Sequence, residues 1–209
     1  VDNNFYYDNI NNNNIHNLYN QGNIQNNFNN IDNINNINGM VGELNELDLY
    51  KKEINLKYNV KHSGYHRLFG SNFITNNKNN IELIINGNKY ELVNVYNLKE
   101  GEYYVKIILK NKLNNLSEMF SGCKLLTDIS DLQYLDVRYV LDVSGMFNGC
   151  IALLDLNPLL NWNVSNGINF SLMFSSCTSL TDLKPLQFWN VSKGRDFSYM
   201  FNGCSSLSN

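Results

Sequence analysis

Apolar and polar residues alternate along the stretch from residue 54 to residue 60. Every second position there is apolar: Ile54, Leu56, Tyr58 and Val60. Successive side chains of a β-strand point to opposite faces of its sheet, so a period of two indicates a strand with one buried face. This stretch therefore predicts the first strand of a sheet.

Two further apolar runs flank a turn between residues 81 and 92. The turn contains Asn86 and Gly87, and an Asn-Gly pair readily adopts the positive φ angles of a tight hairpin. Tyr103–Leu109 is rich in aromatic and β-branched residues and predicts another strand, whereas Tyr65–Asn76 could form one short helix. Together these segments predict a small β-rich domain of four or five strands.

A repeat of 27 residues dominates the last part of the chain. Met-Phe pairs begin at residues 119, 146, 173 and 200. All four cysteines keep the same step: Cys123, Cys150, Cys177 and Cys204. Leucines do so as well, at Leu126, Leu153, Leu180 and Leu207. A fixed period in this range, with several positions in register, is typical of a solenoid of stacked repeats.

Within one repeat, the apolar residues have helical spacing. Phe170, Met173, Phe174 and Cys177 stand at positions i, i+3, i+4 and i+7, which would place them on one face of a helix. The leucines that follow would supply the apolar side of a short strand. We therefore expect each repeat to contain one short helix and one short strand, and to bury its apolar face against its neighbours.

The cysteines occupy equivalent positions on the predicted helices. Neighbouring helices pack ~8–10 Å apart, whereas a disulfide requires Cα atoms within roughly 7 Å. The sequence therefore predicts four buried free thiols rather than two disulfides. A zinc site is disfavoured, because the repeats contain neither a Cys-x₂-Cys pair nor a histidine.

The repeat motif resembles a known family. Met146-Phe-Asn-Gly-Cys-Ile-Ala-Leu, Trp162-Asn-Val-Ser and Met200-Phe-Asn-Gly-Cys-Ser-Ser-Leu are similar to the BspA-like leucine-rich-repeat surface proteins. The resemblance implies an α/β leucine-rich-repeat-like solenoid that mediates binding at a cell surface, with no catalytic residues. The β-rich domain would then cap the first repeat, which gives an α+β fold class. The first repeat departs from the motif, with Leu135 and Arg138 in place of Trp and Ser.

The beginning of the chain has a different composition. The sequence contains 42 Asn among 209 residues, and 18 of them lie within residues 1–40, which contain no Lys or Arg. Such a tract buries too little apolar surface to offset its ordering entropy. We expect an Asn-rich arm over residues 1–40 that is disordered or orders against a partner, a β-rich cap domain over 41–110, and the repeats over 111–209, continuing further.

The net charge argues against nucleic-acid binding, and the hydropathy argues against a transmembrane helix. The 16 basic and 19 acidic residues give a net charge of −3, too little positive charge to bind nucleic acid through phosphate neutralisation. No apolar stretch reaches the ~20 residues of a transmembrane helix. The chain begins at Val1 without a signal-peptide pattern, so we expect a fragment or a processed form. A cell-surface or extracellular location follows from the resemblance alone.

No catalytic site is predicted. The three histidines are His16, His62 and His66, none of them in the repeats. His62 and His66 are spaced for a metal pair on a helix, but Ser63 and Gly64 between them favour a turn. The sequence contains no nucleophile-elbow or phosphate-binding glycine motif. We therefore expect no enzyme activity and no cofactor.

Two periodic sets of polar residues allow alternative interpretations. Asp128, Asp155 and Asp182 could bind Ca²⁺ or could simply stabilise turns. Asn115, Asn163 and Asn190 begin N-glycosylation sequons, yet an Asn at a repeat position can equally bond to a backbone group in a neighbouring turn. We favour the structural explanation for both sets.

Two functions remain open. The first is a non-enzymatic binding module that recognises a protein or glycan partner, with the variable positions Arg138–Asp142, Ser165–Asn169 and Ser192–Asp196 as candidate contacts. The second is a structural subunit that self-associates through the Asn-rich arm and an open apolar end of the repeats. An open end requires cover, which we expect from further repeats or from a partner.

Overall fold

The computed structural model describes residues 53–208. The predicted Asn-rich arm, residues 1–40, lies outside the described residues, as do His16 and the first part of the predicted β-rich domain. The described residues belong to one compact unit. The boundaries at residues 40 and 110 remain predictions.

The described part of the chain contains seven strands and one α-helix. In chain order they are β1 (Glu53–Val60), β2 (Gly64–Arg67), α1 (Ser71–Asn77), β3 (Ile81–Ile85), β4 (Asn88–Tyr90), β5 (Val95–Leu98), β6 (Gly101–Leu109) and β7 (Leu126–Asp128). Three short 3-10 helices follow, at Ser130–Tyr134, Asn157–Leu159 and Lys184–Leu186.

Five strands form an antiparallel sheet in the order β4-β3-β6-β1-β7. The strand predicted at residues 54–60 is confirmed as β1, and its alternate side chains are buried as the pattern requires. The predicted hairpin is confirmed as β3–β4, and its turn contains Asn86 and Gly87 with φ angles of 47° and 83°. Since β7 comes from the first repeat and pairs with β1, this sheet includes the beginning of the repeat region.

A second, two-stranded sheet was not predicted. It pairs β2 with β5 in antiparallel register, with Tyr65 opposite Asn97. The helix expected over Tyr65–Asn76 is shorter than predicted, because its first residues belong to β2 and α1 begins at Ser71. Tyr58 ties this region to the first sheet, since its hydroxyl donates to the carbonyl oxygen of Leu68 at 2.7 Å.

The predicted fold class is wrong. The regular structure of residues 53–208 consists mainly of small antiparallel sheets with one α-helix, and no alternation of helices and strands follows the 27-residue period. In residues 113–208 the only strand is β7, and the remainder is 3-10 helix, turn and isolated bridge. A cap domain followed by an α/β leucine-rich-repeat-like solenoid is therefore not supported.

The backbone explains why the predicted repeat helices do not form. An α-helix requires φ near −63° at every residue, but Leu172 and Ser176 have φ angles of 57° and 58°. The equivalent residues of the other repeats also have positive φ: Glu118, Gly145 and Tyr199 at the first position, and Gly122, Gly149 and Gly203 at the second. Two left-handed residues four positions apart turn the chain instead of continuing a helix. The apolar side chains of the repeats are buried, but they lie on consecutive turns of the chain and not on one face of a helix.

Candidate interaction surface

The repeats lie side by side, and we refer to them by number. Copy 1 is residues 113–139, copy 2 is 140–166, copy 3 is 167–193 and copy 4 is 194–208. Backbone bridges join equivalent residues of adjacent copies in parallel: Asn115 to Asp142, Asp142 to Asn169, and Asn169 to Asp196. The 27-residue period of the sequence is therefore also a period in space.

Each bridge residue also shapes its own turn. The side-chain Oδ1 atoms of Asn115, Asp142, Asn169 and Asp196 accept hydrogen bonds from the backbone N–H two residues later, at 2.8, 2.8, 3.1 and 2.8 Å. Asn and Asp are interchangeable here because only an acceptor oxygen is required. The bond from the N–H of Ser198 lowers the pKa of Asp196 below its usual value.

Between each pair of adjacent copies, four backbone hydrogen bonds run from the earlier copy to the later one. Between copies 1 and 2, alternate N–H groups of copy 1 donate to alternate carbonyl oxygens of copy 2 at 2.7–2.9 Å. The donors are Leu116, Glu118, Phe120 and Gly122, and the acceptors are Asp142, Ser144, Met146 and Asn148. Copies 2 and 3, and copies 3 and 4, repeat this pattern. In this set of four bonds the donors lie on the earlier copy, while the N–H groups of Leu141, Ile168 and Arg195 donate in the opposite direction, to the carbonyl oxygens of Asn114, Leu141 and Ile168.

Aromatic side chains form columns across the copies. Phe120, Phe147, Phe174 and Phe201 stack in sequence with ring centroids 5.6, 5.5 and 5.6 Å apart. Trp162 and Trp189 stack at 6.2 Å, and their indole N–H groups donate to the carbonyl oxygens of Leu132 and Leu159 in the preceding copies. Each aromatic position contributes to the interface between two copies.

The four cysteines are free and buried, and their predicted burial is confirmed. The thiols of Cys150, Cys177 and Cys204 donate to the carbonyl oxygens of the phenylalanines at 120, 147 and 174, at 3.1, 3.1 and 2.9 Å. Burial raises the pKa of all four thiols, that of Cys177 to about 12. They remain protonated at neutral pH, and a protonated thiol is a poor nucleophile and metal ligand.

Copy 1 is closed by α1 and the residue before it. The N–H of Gly70 donates to the carbonyl oxygen of Met119 at 3.1 Å, the acceptor that a preceding copy would use. The ring of Phe69 extends the aromatic column, 6.4 Å from Phe120. A Cβ atom at position 70 would lie 1.9 Å from the carbonyl oxygen of Glu118, so this approach requires glycine. We call this the closed end.

Copy 4 has no equivalent cover in the described part of the chain. The N–H groups of Phe197, Tyr199, Phe201 and Gly203, which correspond to the donors of the earlier copies, have no acceptor within residues 53–208. Phe197 is 40% exposed, whereas its equivalent Phe170 is fully buried. Met200, Phe201 and Leu207 are partly buried, whereas their equivalents in copy 3 are fully buried. We call these six residues the open face.

The three variable segments that we predicted as contacts lie next to one another. Asn166 Nδ2 donates to the carbonyl oxygen of Arg138 at 2.8 Å, and Lys193 Nζ donates to Asn166 Oδ1 at 2.6 Å. Arg138 also pairs with Asp136, with 3.0 Å between Nε and Oδ1. Tyr139 is 50% exposed and has the ammonium of Lys112 4.8 Å from its ring centroid. This surface combines neighbouring copies, but several of its polar groups bond to each other.

The histidine pair has a backbone role. Nε2 of His66 donates to the carbonyl oxygen of His62 at 2.7 Å, so this nitrogen already makes a hydrogen bond within the turn. Within residues 53–208 no group of three or more His, Cys, Asp or Glu is arranged to hold a metal ion.

The periodic polar residues stabilise turns. Asp128, Asp155 and Asp182 each accept a hydrogen bond on Oδ1 from the N–H two residues later, at 2.8, 2.8 and 2.9 Å. The sequon residues Asn163 and Asn190 accept the N–H of the serine two residues later in the same way. The same short-range bond thus recurs at three positions of the repeat, which agrees with the turn interpretation.

Sequence reasoning missed the residues that distinguish the two ends. Gly70 and Phe69 belong to a segment predicted as helix, and the donors of the open face are backbone groups without a sequence signal. The glycines at 122, 149 and 203 recur with the repeat and could have indicated the left-handed turns.

Comparison with known proteins identifies one match. Residues 113–209 match the family model described as "Mycoplasma protein of unknown function, DUF285", which covers just under half of the chain. No curated protein and no solved structure matches the chain. The resemblance to the BspA-like surface proteins remains a prediction. None of the helices in residues 53–208 is long and apolar enough to cross a membrane.

Proposed function

We propose that this chain is a non-enzymatic binding protein whose repeat region recognises a protein partner in surface adhesion or interaction. The three variable segments carry this proposal, because they lie next to one another on neighbouring copies and expose large apolar side chains, with Tyr139 and Leu141 each 50% exposed. Apolar area removed from water contributes about 25 cal/mol per Å².

A protein partner fits this surface better than a glycan. Aromatic residues are enriched in protein–protein interfaces, and the exposed ring of Tyr139 has the ammonium of Lys112 4.8 Å from its centroid. The buried, protonated thiols and the backbone-bonded histidine support a role other than catalysis.

Self-association is the second candidate, and the exposed apolar side chains of copy 4 favour it. The N–H of Gly70 already donates to the carbonyl oxygen of Met119 in copy 1, so a second copy of the chain would have to displace Gly70 and α1 to stack on that side.

Arrays of surface proteins and of glycans, probed with the labelled chain, test the proposal. We expect binding on the protein array that falls at least tenfold for Tyr139→Asp, because Tyr139 is 50% exposed in the variable segment Arg138–Asp142. The matched control is Tyr65→Asp, because Tyr65 is 79% exposed on β2, outside the repeats. Binding confined to glycans, or equal for both variants, would contradict the proposal. Concentration-dependent growth in light scattering without a partner would favour self-association.

A further inference from the structure

We propose that the three variable segments, together with Lys112 and Asp136, bind an acidic segment of a partner protein. This inference rests on the proposed function and specifies the chemistry of the partner. We call these residues the variable surface. It carries four basic and three acidic residues, whereas the rest of the chain carries 12 basic and 16 acidic residues. The variable surface therefore has an excess of positive charge on a chain whose net charge is −3.

Two lysines of the variable surface belong to one column of the repeat. Lys112, Tyr139, Asn166 and Lys193 follow one another at intervals of 27 residues. The ammonium of Lys112 lies 4.8 Å from the ring centroid of Tyr139, and that of Lys193 donates to Asn166 Oδ1 at 2.6 Å. Both ammonium groups therefore lie against residues of copies 1 and 2.

Two cations share one carboxylate beside this column. Asp136 accepts two hydrogen bonds from Arg138, at 3.0 and 3.3 Å, and its side chain is 7% exposed. Lys112 Nζ lies 3.7 Å from Asp136 Oδ2, beyond the distance of a hydrogen bond, and its side chain is 42% exposed. Because one carboxylate balances only one of the two cations, Lys112 retains charge and N–H donors for a carboxylate of the partner.

The other two carboxylates of the variable surface stabilise turns. Asp142 and Asp196 each accept on Oδ1 the backbone N–H two residues later. Tyr139 and Leu141 are each 50% exposed on the same surface. A polypeptide that combines carboxylates with apolar side chains therefore complements it better than a sulfated glycan, which has few apolar groups.

The spacing of the lysines specifies the spacing of the carboxylates. Paired strands lie about 4.8 Å apart, so three steps of the repeat separate the backbone positions of Lys112 and Lys193 by about 14 Å. An extended segment rises about 3.3 Å per residue, so its side chains at positions i and i+4 are about 13 Å apart. Carboxylates four residues apart on one face of an extended segment therefore match the two lysines.

Titration with an acidic peptide tests the inference. The probe is a labelled twelve-residue peptide of alternating Glu and Ser, which places all its carboxylates on one face when it is extended. The control peptide has Gln in place of every Glu. We expect saturable binding of the probe in fluorescence anisotropy at low salt and no binding of the control. The affinity should fall as salt is added, because salt screens exposed charges.

Lysine variants locate the binding site. Lys112→Gln should lower the affinity for the probe about threefold, and the double variant with Lys193→Gln about tenfold. The matched control is Lys89→Gln, which removes the same charge from a side chain that is 70% exposed on β4, outside the repeats. If Lys112→Gln lowers the unfolding midpoint, Lys193→Gln replaces it, because Lys193 bonds to an amide and not to a buried carboxylate.

The possible failures are distinguishable. If the acidic probe does not bind, but Tyr139→Asp still lowers binding on the protein array, the proposed function stands and this inference is wrong. Equal losses of affinity for Lys112→Gln and Lys89→Gln would also overturn it. Tighter binding of a sulfated oligosaccharide than of the probe, at the same salt and lost in the same variants, would contradict both proposals. Light scattering that grows with chain concentration, and is lost in Lys112→Gln, would identify a second copy of this chain as the occupant and overturn the inference.

Discussion

Phe120 and Phe201 occupy the same repeat position in copy 1 and copy 4, but their surroundings differ. Phe120 is fully buried between Phe69 and the ring of copy 2, whereas Phe201 stacks on a ring on one side only within residues 53–208. Gly70 and α1 cover copy 1 at the closed end, whereas no residue in the part of the chain that the structure describes covers copy 4 in this way. Equivalent sequence positions thus differ in exposure because of what is packed against them.

The largest expected effect is the loss of a covered ring. Phe174→Ala removes a fully buried phenylalanine from the middle of the column, and we expect a loss of about 3–5 kcal/mol in unfolding free energy. Phe201→Ala should cost about 1–2 kcal/mol, because its ring is only partly removed from water. Urea unfolding of both variants measures the difference. Equal losses would show that the open face is covered in solution.

Glycine substitutions at Gly70 and at Gly203 should destabilise the fold by different amounts. Gly70→Ala would place a Cβ atom 1.9 Å from a backbone oxygen, so α1 must shift, and we expect a loss of about 2–3 kcal/mol. Gly203→Ala meets only ordinary contact with Ser176 and should cost about 1 kcal/mol, from its positive φ. Thermal unfolding separates the two. A smaller loss at Gly70 than at Gly203 would mean that α1 is not a tight cap.

Alkaline pH should destabilise the protein through the buried thiols. A cysteine thiol in the unfolded chain has a pKa of about 8.5. Burial raises the pKa of Cys123 and Cys204 in the folded state. Below that pH both states keep the proton, so stability is constant. Above it the unfolded state releases a proton that the folded state retains, and the unfolding free energy falls by up to about 1.4 kcal/mol per pH unit and thiol.

The closed and open ends should differ in this pH dependence. Cys123 is fully buried, whereas Cys204 is 8% exposed. Cys123→Ala should therefore reduce the alkaline loss of stability more than Cys204→Ala does. Urea unfolding at pH 7 and at pH 10 for the two variants checks this order, and the reverse order would contradict the assigned burial.

The smallest expected effect concerns a left-handed residue. Ser176 has a φ of 58° at a position where the other copies have glycine. Ser176→Gly should raise the unfolding free energy by about 0.5–1 kcal/mol. The substitution removes the strain of a left-handed serine, and this gain exceeds the cost of the greater conformational entropy that glycine gives the unfolded chain. Thermal unfolding measures the gain. A loss of stability would show that contacts of the serine side chain stabilise the fold by more than its left-handed backbone costs.

The strands were predictable because their signals are local. Alternation in β1 and the Asn86-Gly87 turn specify conformations through sterics and burial within a few residues. The pairing of β2 with β5 was missed because it joins segments about thirty residues apart, and neither has a strong pattern. Short strands of this kind depend on tertiary contacts more than on propensity.

The sequence by itself determined the period of the repeats and which side chains they bury. Phe, Met, Cys and Leu recur every 27 residues, and apolar side chains leave water whatever the backbone between them does. Only the tertiary structure decided the backbone path, since helical spacing at Phe170, Phe174 and Cys177 is also satisfied by turns through two left-handed residues. It also decided which copy is covered. The cover on copy 1 depends on the close approach of Gly70 to Glu118. This contact joins distant parts of the chain, and no repeated pattern in the sequence indicates it.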